Sequence, residues 1–535
     1  MSQSNSYSSM TPKNGTAYIN GRIYTVNEAA PWAEAFIVGP DGTFGVVGTD
    51  KEVKAKALED GLAVYDLRGK FIMPGIHDAH VHMLLAGVGM TSQALLPTQG
   101  LNSTNVAESL DHGSCMCKYA HVNQDWLVAW AYMVDDFHRD ALDKEYPDTP
   151  VVIHGGAGHS MFLNTEALRR AGYDVDSEPD GQATMYVRDE AGRLTGHVAE
   201  MGMSKAARSI PQPSLGHVKR ALRHAQHQLH RAGVTSCQEA SANSIMLHAL
   251  KELDAEKDLK LNMYTHIVYA PDWVAEESVE SLHKLIDDAA GFRSDHVDTR
   301  FVKIILDGVP LPPYYTQAGF NKDDGTVDES KLFILNVKEA VAEYDARGFT
   351  MKIHCTGTGA TKLALDAFDA ARKTNPRGPR HEIAHSSGVR DEDFGRYKTL
   401  NVTAEMSPAF FFVHPVTAAS GGLMDWNFPR MIEADAHVTI GSDWCAPNVP
   451  DLLPILGNIV ESVGGGDRTL GAARICRMLT LAGAEAVGKQ NEFGSVEPGK
   501  KANFIALNND LSKAEFEGVK VLTTWFEGEI VYEEN

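Results

Sequence analysis

The apolar run FIMPGIHDAHVH (71–82) ends in His80-Val81-His82. In an extended chain residues two apart share a face, so both imidazoles would turn to the same side. That offers two nitrogen donors to one metal ion. A lone H-x-H is commonly structural, and it is the company that gives this one weight. Short apolar runs further along carry Lys303, His354, His385 and Asp443 near their ends. Four histidines and an aspartate form the nitrogen-and-oxygen donor set of a divalent-metal site.

Other residues could serve the same chemistry. His159 and Asn164 lie in GGAGHSMFLN, and Glu200 closes GRLTGHVAE. His159 could bind a developing oxyanion or a substrate carbonyl. Glu239 ends the run GVTSCQEA, while Asp307, Tyr314 and Tyr315 follow Lys303. Trp130 and Trp444 could supply apolar walls. Together, Trp130, Asn164, Glu200, Glu239, Asp307, Tyr314 and Trp444 are the substrate-contact candidates. The stretch from Gly158 to Phe162 resembles a nucleophile elbow but lacks its last glycine, which argues against a serine hydrolase.

These residues need a frame that brings strand ends together. Apolar runs recur at 71–82, 233–240, 261–270, 300–308, 349–355, 381–386, 400–408 and 437–443, with amphipathic stretches between many of them. Eight strands alternating with helices predict an α/β protein, a (β/α)₈ TIM barrel with its site at the C-terminal strand ends. His354 and His385 lie one unit apart, and His385 and Asp443 two. A doubly wound sheet would carry a glycine-rich phosphate loop, and none is present. Strand-like segments at both ends predict a small composite β domain from 16–70 and 486–535. The barrel would span 71–485, with an inserted subdomain at 84–215 covering its mouth. Residues 1–15 read as a disordered lead-in.

The 535 residues hold 49 Lys+Arg against 71 Asp+Glu, a net charge of −22. That balance disfavours nucleic acid or an anionic membrane as partner. No apolar run is long enough for a transmembrane helix, and the polar N-terminus lacks a secretory h-region. Cys115 and Cys117 make only a weak zinc signal, and the six scattered cysteines read as reduced thiols. A cytoplasmic location is expected, and the sequons at Asn102 and Asn401 then carry little meaning. A homodimer is the base-rate expectation.

MPGIHDAHVH, HEIAHS and IGSDW resemble the amidohydrolase superfamily, specifically its amidohydrolase-3 (YtcJ-like) branch. NGRIYTVN, GGAGHSMFLN, GRLTGHVAE, VKIILDG and GSVEPGKKANFIAL extend the resemblance over nearly the whole chain. It implies a metal-dependent hydrolase with two divalent ions, zinc being the expected metal, although such ligands also accept Mn, Fe or Co. His80, His82 and Asp443 would hold the more buried ion, and His354 and His385 the more exposed one. Lys303, carboxylated by CO₂ to a carbamate, would bridge them. Were Lys303 instead paired with Asp307, one metal would remain. The ions would activate a water to hydroxide, and Asp443 would act as general acid/base, delivering a proton to the leaving nitrogen. The expected substrate is a small-molecule amide: N-acyl, N-formyl or cyclic.

One departure from the branch pattern is VPLPPYY after Asp307-Gly308, a bulkier loop that leaves the substrate open. Alternatives are a metal-dependent lyase or decarboxylase, a single-metal deaminase, and a catalytically dead barrel serving as a binding module. A deaminase of the superfamily would place glutamate where Gly357 stands.

Overall fold

In the computed structural model, residues 15–97, 99–116, 122–155, 158–311, 314–408, 426–445 and 450–534 are described. The lead-in up to residue 14 and Cys117 fall outside them, as does the side chain of Cys115.

Eight parallel strands form the central sheet in sequence order: β1 (Ile76–Val81), β2 (Val234–Ala242), β3 (Asn262–Ala270), β4 (Val297–Ile305), β5 (Thr350–Cys355), β6 (His381–His385), β7 (Val402–Met406) and β8 (His437–Ile440). The ends of β8 and β1 close it. The Asp443 amide donates to the His80 carbonyl at 2.8 Å, and the His82 amide to the Trp444 carbonyl at 2.8 Å. The fold is thus a TIM barrel, and closure itself brings Asp443 beside His80 and His82. Register sets the other strand ends, Lys303 lying opposite Lys352, and Cys355 opposite His385.

Helices sheathe the barrel for ordinary reasons. In the helix Leu215–Arg231 the Ser214 side chain accepts from the His217 amide, capping the first turn. Its Val218, Leu222, Ala225 and Leu229 recur at three- to four-residue spacing and are buried.

The run at 71–82, read from sequence as a single strand, divides at Gly75. Phe71–Pro74 belongs to a second sheet, and β1 starts at Ile76. A Cβ at Gly75 would lie 2.2 Å from the Thr235 hydroxyl, so only glycine fits where the chain passes between sheets. That second sheet runs Glu529–Glu533, Val521–Phe526, Phe504–Leu507, Phe71–Pro74, Arg22–Tyr24 and Trp32–Ala33, drawing strands from both termini. The rings of Phe504 and Trp525 stack in its core at 4.5 Å. A four-stranded sheet formed by Phe44–Gly48, Ala35–Val38, Thr16–Ile19 and Ala63–Asp66 packs against it through Phe36 and Tyr18.

The insertion after β1 is built on a six-stranded sheet: Thr184–Arg188, Leu194–Glu200, Ser160–Leu163, Val151–Gly155, Leu127–Trp130 and Ala94–Leu95. Trp130, His154, His159 and Met161 from this sheet and its turns face the barrel's C-terminal end. Among the described residues no helix is long and apolar enough to cross a membrane.

Candidate active site

A chamber of about 970 Å³ opens where the barrel meets the insertion. His80, His82, Lys303, His354, His385 and Asp443 all line it. His80 Nε2 lies 3.6 Å and His82 Nε2 3.4 Å from Asp443 Oδ1, and His385 Nδ1 lies 3.9 Å from Oδ2. The rings of His354 and His385 are 4.5 Å apart, those of His80 and His385 4.9 Å. Lys303 Nζ is 3.3 Å from His80 Nε2. His80, His82 and Asp443 can each present a donor atom within 4.8 Å of the others.

Groups behind the donors fix which atoms face the chamber. His80 Nδ1 lies 2.7 Å from Glu405 Oε2 on β7, leaving Nε2 to point inward. Glu405 Oε1 in turn accepts from Ser407 at 2.6 Å. His82 Nδ1 bonds the Ser241 hydroxyl at 2.8 Å, and that hydroxyl donates to Glu239 at 2.8 Å. Among the described residues His385 Nδ1 is buried without a hydrogen-bond partner, an orphan that a bound cation would satisfy.

Protonation suits metal binding. Burial, reinforced by neighbouring positive groups, lowers the pKa of His80 and His354 well below the usual imidazole range. Burial likewise takes His385 down to about 3. All three are therefore neutral near pH 7, the form that ligates. Burial opposes charge on Asp443, but the His82 hydrogen bond and the electrostatic pull of the surrounding site outweigh it, lowering its pKa and keeping it ionised. Burial and the like charge of Lys352 bring Lys303 down to about 7. The donor set fits a divalent metal centre.

Two ligand candidates sit on strained backbone. His385 has φ 71° and Asp443 φ 53°, a left-handed region costing non-glycine residues about 1–2 kcal/mol. Such strain concentrates where side-chain direction matters more than stability.

Opposite this cluster, His159 Nδ1 lies 2.8 Å from Glu200 Oε2, and its ring is 5.6 Å from that of His354. Glu200 also accepts from the Thr316 hydroxyl. Burial disfavours a charged His159, yet the Glu200 carboxylate, with Asp443 and Asp307 further off, raises its pKa above the usual value. Glu200 thus holds His159 and borders an adjoining cavity. Tyr314 borders the same cavity, its hydroxyl 3.3 Å from His197 Nδ1. Trp130 lines the main chamber together with Trp273 and Trp426.

Four sequence-based expectations for substrate contact are corrected. Asn164 is fully buried, its Oδ1 accepting from the Val151 and Ala167 amides and its Nδ2 donating to two carbonyls, so it is a helix cap. Glu239 is consumed by the Met83 and Ser241 amides and the Ser241 hydroxyl. Asp307 accepts from the Ala318, Thr356 and Gly357 amides. Its ion-pair contact among the described residues is with His354 Nε2 at 3.8 Å rather than with Lys303. Trp444 packs in the barrel core while Asp443 and Cys445 face the chamber.

Sequence reasoning missed Glu405, Ser241, His154, Trp273 and Glu276. Only Glu405 left a trace: a carboxylate inside the apolar seventh run LNVTAEMSP.

The model of the amidohydrolase family matches residues 63–532. The chain belongs to the amidohydrolase family. Within it, this amidohydrolase is 24% identical to an N-substituted formamide deformylase of Arthrobacter pascens, the match covering 98% of this chain and 99% of that protein. It is 22% identical to the putative amidohydrolase YtcJ of Bacillus subtilis (strain 168), over 96% and 99% of the two chains. The amidohydrolase-3 branch is thereby supported. A crystal structure of an uncharacterized metal-dependent hydrolase from Pyrococcus horikoshii OT3 superposes with a TM-score of 0.69 at 19% identity, covering 97% of this chain and 100% of the other. The protein is a metal-dependent hydrolase of this superfamily.

Proposed function

We propose that this amidohydrolase cleaves an amide-type C–N bond of a small molecule, N-acyl, N-formyl or cyclic. The observation that carries this reading is the convergence of His80, His82, His354, His385 and Asp443 on one chamber, with the His159–Glu200 pair beside them. The match to an N-substituted formamide deformylase supports the bond type.

His80, His82 and Asp443 would hold one divalent ion, and His354 and His385 a second, with zinc the expected metal. Bound there, such ions polarise a carbonyl and acidify water. Lys303 would join the two halves of the site as a carbamate. A pKa near 7 leaves much of it as the free amine that CO₂ requires.

The remaining steps belong to the chain's own groups. Asp443 accepts a proton from the attacking water, and its ionised state in the resting site suits a base. The water oxygen bonds the acyl carbon, and the carbonyl π pair moves onto its oxygen. Asp443 then returns the proton to the nitrogen as that pair re-forms the carbonyl and the C–N bond breaks, because an amide anion is too basic to leave unaided. His159, oriented by Glu200, donates a hydrogen bond to the carbonyl oxygen as negative charge develops there. Trp130, Trp273 and Met161 keep bulk water from the reacting atoms.

The four described cysteines, Cys237, Cys355, Cys445 and Cys476, are all free thiols. They fit a reducing, cytoplasmic compartment. The test is release of free amine from a panel of N-formyl and N-acetyl alkylamines by the metal-loaded enzyme. Release that Asp443→Asn abolishes is the expected result, and no release from any member of the panel rejects the amide reading.

A further inference from the structure

The catalytic chamber does not end at the metal ligands. A second cavity of about 660 Å³ adjoins it, and the two share Leu85, His154, Val274 and Glu276 in their walls. These four residues form a neck. Beyond it the wall mixes apolar residues, among them Val88, Val128, Ile210 and Ile245, with polar ones such as Gln93, Asn123 and Asn243.

Glu276 is placed in this neck by the residues around it. The Ala275 carbonyl accepts from Asn243 Nδ2 at 2.9 Å, and the Glu276 carbonyl from Gln212 Nε2 at 3.2 Å. The Glu277 carboxylate takes the Ser244 amide at 2.9 Å and its hydroxyl at 2.6 Å, so that side chain is fastened to the helix Ser244–Ala255. Between these anchors Glu276 adopts φ 51°. A left-handed glutamate is strained, and here the strain accompanies a carboxylate turned into the neck.

No side chain among the described residues answers that carboxylate. Among the described residues no ion pair or side-chain hydrogen bond uses it, and burial alone shifts it, up to about 7. His154 beside it is brought down to about 4 by burial and is therefore neutral near pH 7. A half-buried carboxylate in this neck, with no counter-charge among the described residues, favours a ligand that supplies one. Trp130 and Trp273 line the adjoining chamber, and aromatic faces favour alkylammonium groups.

We propose that Glu276 is a specificity-determining residue that binds a protonated amine at the end of the substrate remote from the scissile amide. The substrate class is then a mono-acylated diamine or a longer basic relative, threaded from the metal face through the neck. The proposal rests on the amide-hydrolase reading above. It adds the chemistry of the leaving amine: hydrolysis would release a carboxylate and a diamine.

The decisive comparison uses N-formyl-1,5-diaminopentane and N-formylpentylamine, which differ only in the terminal ammonium. With the metal-loaded wild-type enzyme, kcat/KM should favour the ammonium-bearing amide about tenfold or more, the scale of a buried charge-assisted contact. In Glu276→Gln and Glu276→Ala that ratio should fall to near one. A wild-type ratio at or below one overturns the proposal, as does a preference that persists in both variants. If neither amide is cleaved, the N-formyl part of the hydrolase reading fails separately. Calorimetric binding of the same two compounds to the wild-type enzyme and the variants then decides the subsite by the same ratio.

Discussion

Glu405 Oε2 stands 2.7 Å from His80 Nδ1, on the side of the ring away from the chamber. The contact spans two strands far apart in sequence, β7 and β1, and it fixes the imidazole so that Nε2 alone can ligate. Such outer partners commonly carry 10- to about 100-fold in metal affinity. Glu405→Gln should therefore weaken metal binding by that order while the fold persists. Competition with a chromogenic chelator would measure it, and unchanged affinity would remove Glu405 from the site's architecture.

Asp443 is the point where proton transfer and ligation meet. Asp443→Asn keeps the shape but cannot accept the proton of water, so kcat should fall by about 10²–10⁴-fold, the usual span of general acid–base catalysis. Steady-state kinetics with saturating metal is the check. A loss smaller than tenfold would shift the proton-transfer role elsewhere.

The His159–Glu200 pair predicts a pH effect with a definite sign. His159 has a raised pKa, so its charged form survives above the ordinary imidazole value and is lost as pH rises through the raised one. Activity that needs the charged ring should show an alkaline limb at that point. Glu200→Gln removes the main group favouring charge and should move the limb to lower pH. A pH–kcat/KM profile whose alkaline limb stays in place would argue that His159 acts uncharged.

Metal content distinguishes the two forms of Lys303. Plasma mass spectrometry on protein purified without chelators should give about two divalent ions per chain if the carbamate bridges the site. Lys303→Ala should then lower that number, and about one ion in the wild type would indicate an unmodified lysine.

Asn164 supplies a stability prediction away from the chemistry. Its amide group satisfies two amides and two carbonyls in a fully buried position. Asn164→Ala should cost about 2 kcal/mol or more, from the lost cap and the stranded backbone groups. Chemical denaturation would detect it, with metal content retained in the folded fraction.

The barrel and the convergence of the six candidate donors were legible because each strand is a short apolar run whose polar residue falls at the C-terminal end, and the repeat spacing places those ends together. What strand position does not reveal is where a carboxylate's hydrogen bonds go. Glu239 and Asp307 occupy the expected ends, yet backbone amides consume both. Asn164 sits beside the helix start that explains it, and its cap could have been preferred on sequence grounds. Glu276 was invisible for a different reason. It lies in an irregular segment without periodicity, and its direction depends on anchors from Gln212 and Asn243, distant in sequence or on another element.

The passage at Gly75 has a consequence for how the protein comes into being. The strand that carries His80 and His82 is continuous with Phe71–Pro74, and that segment pairs with Phe504–Leu507 near the other end of the chain. The Gly75 amide is itself held by the Asn503 carbonyl at 2.9 Å. A nascent chain that has already emitted both histidines still lacks the partner that anchors their strand. The anchor of that strand thus forms only when segments from both ends of the chain have come together.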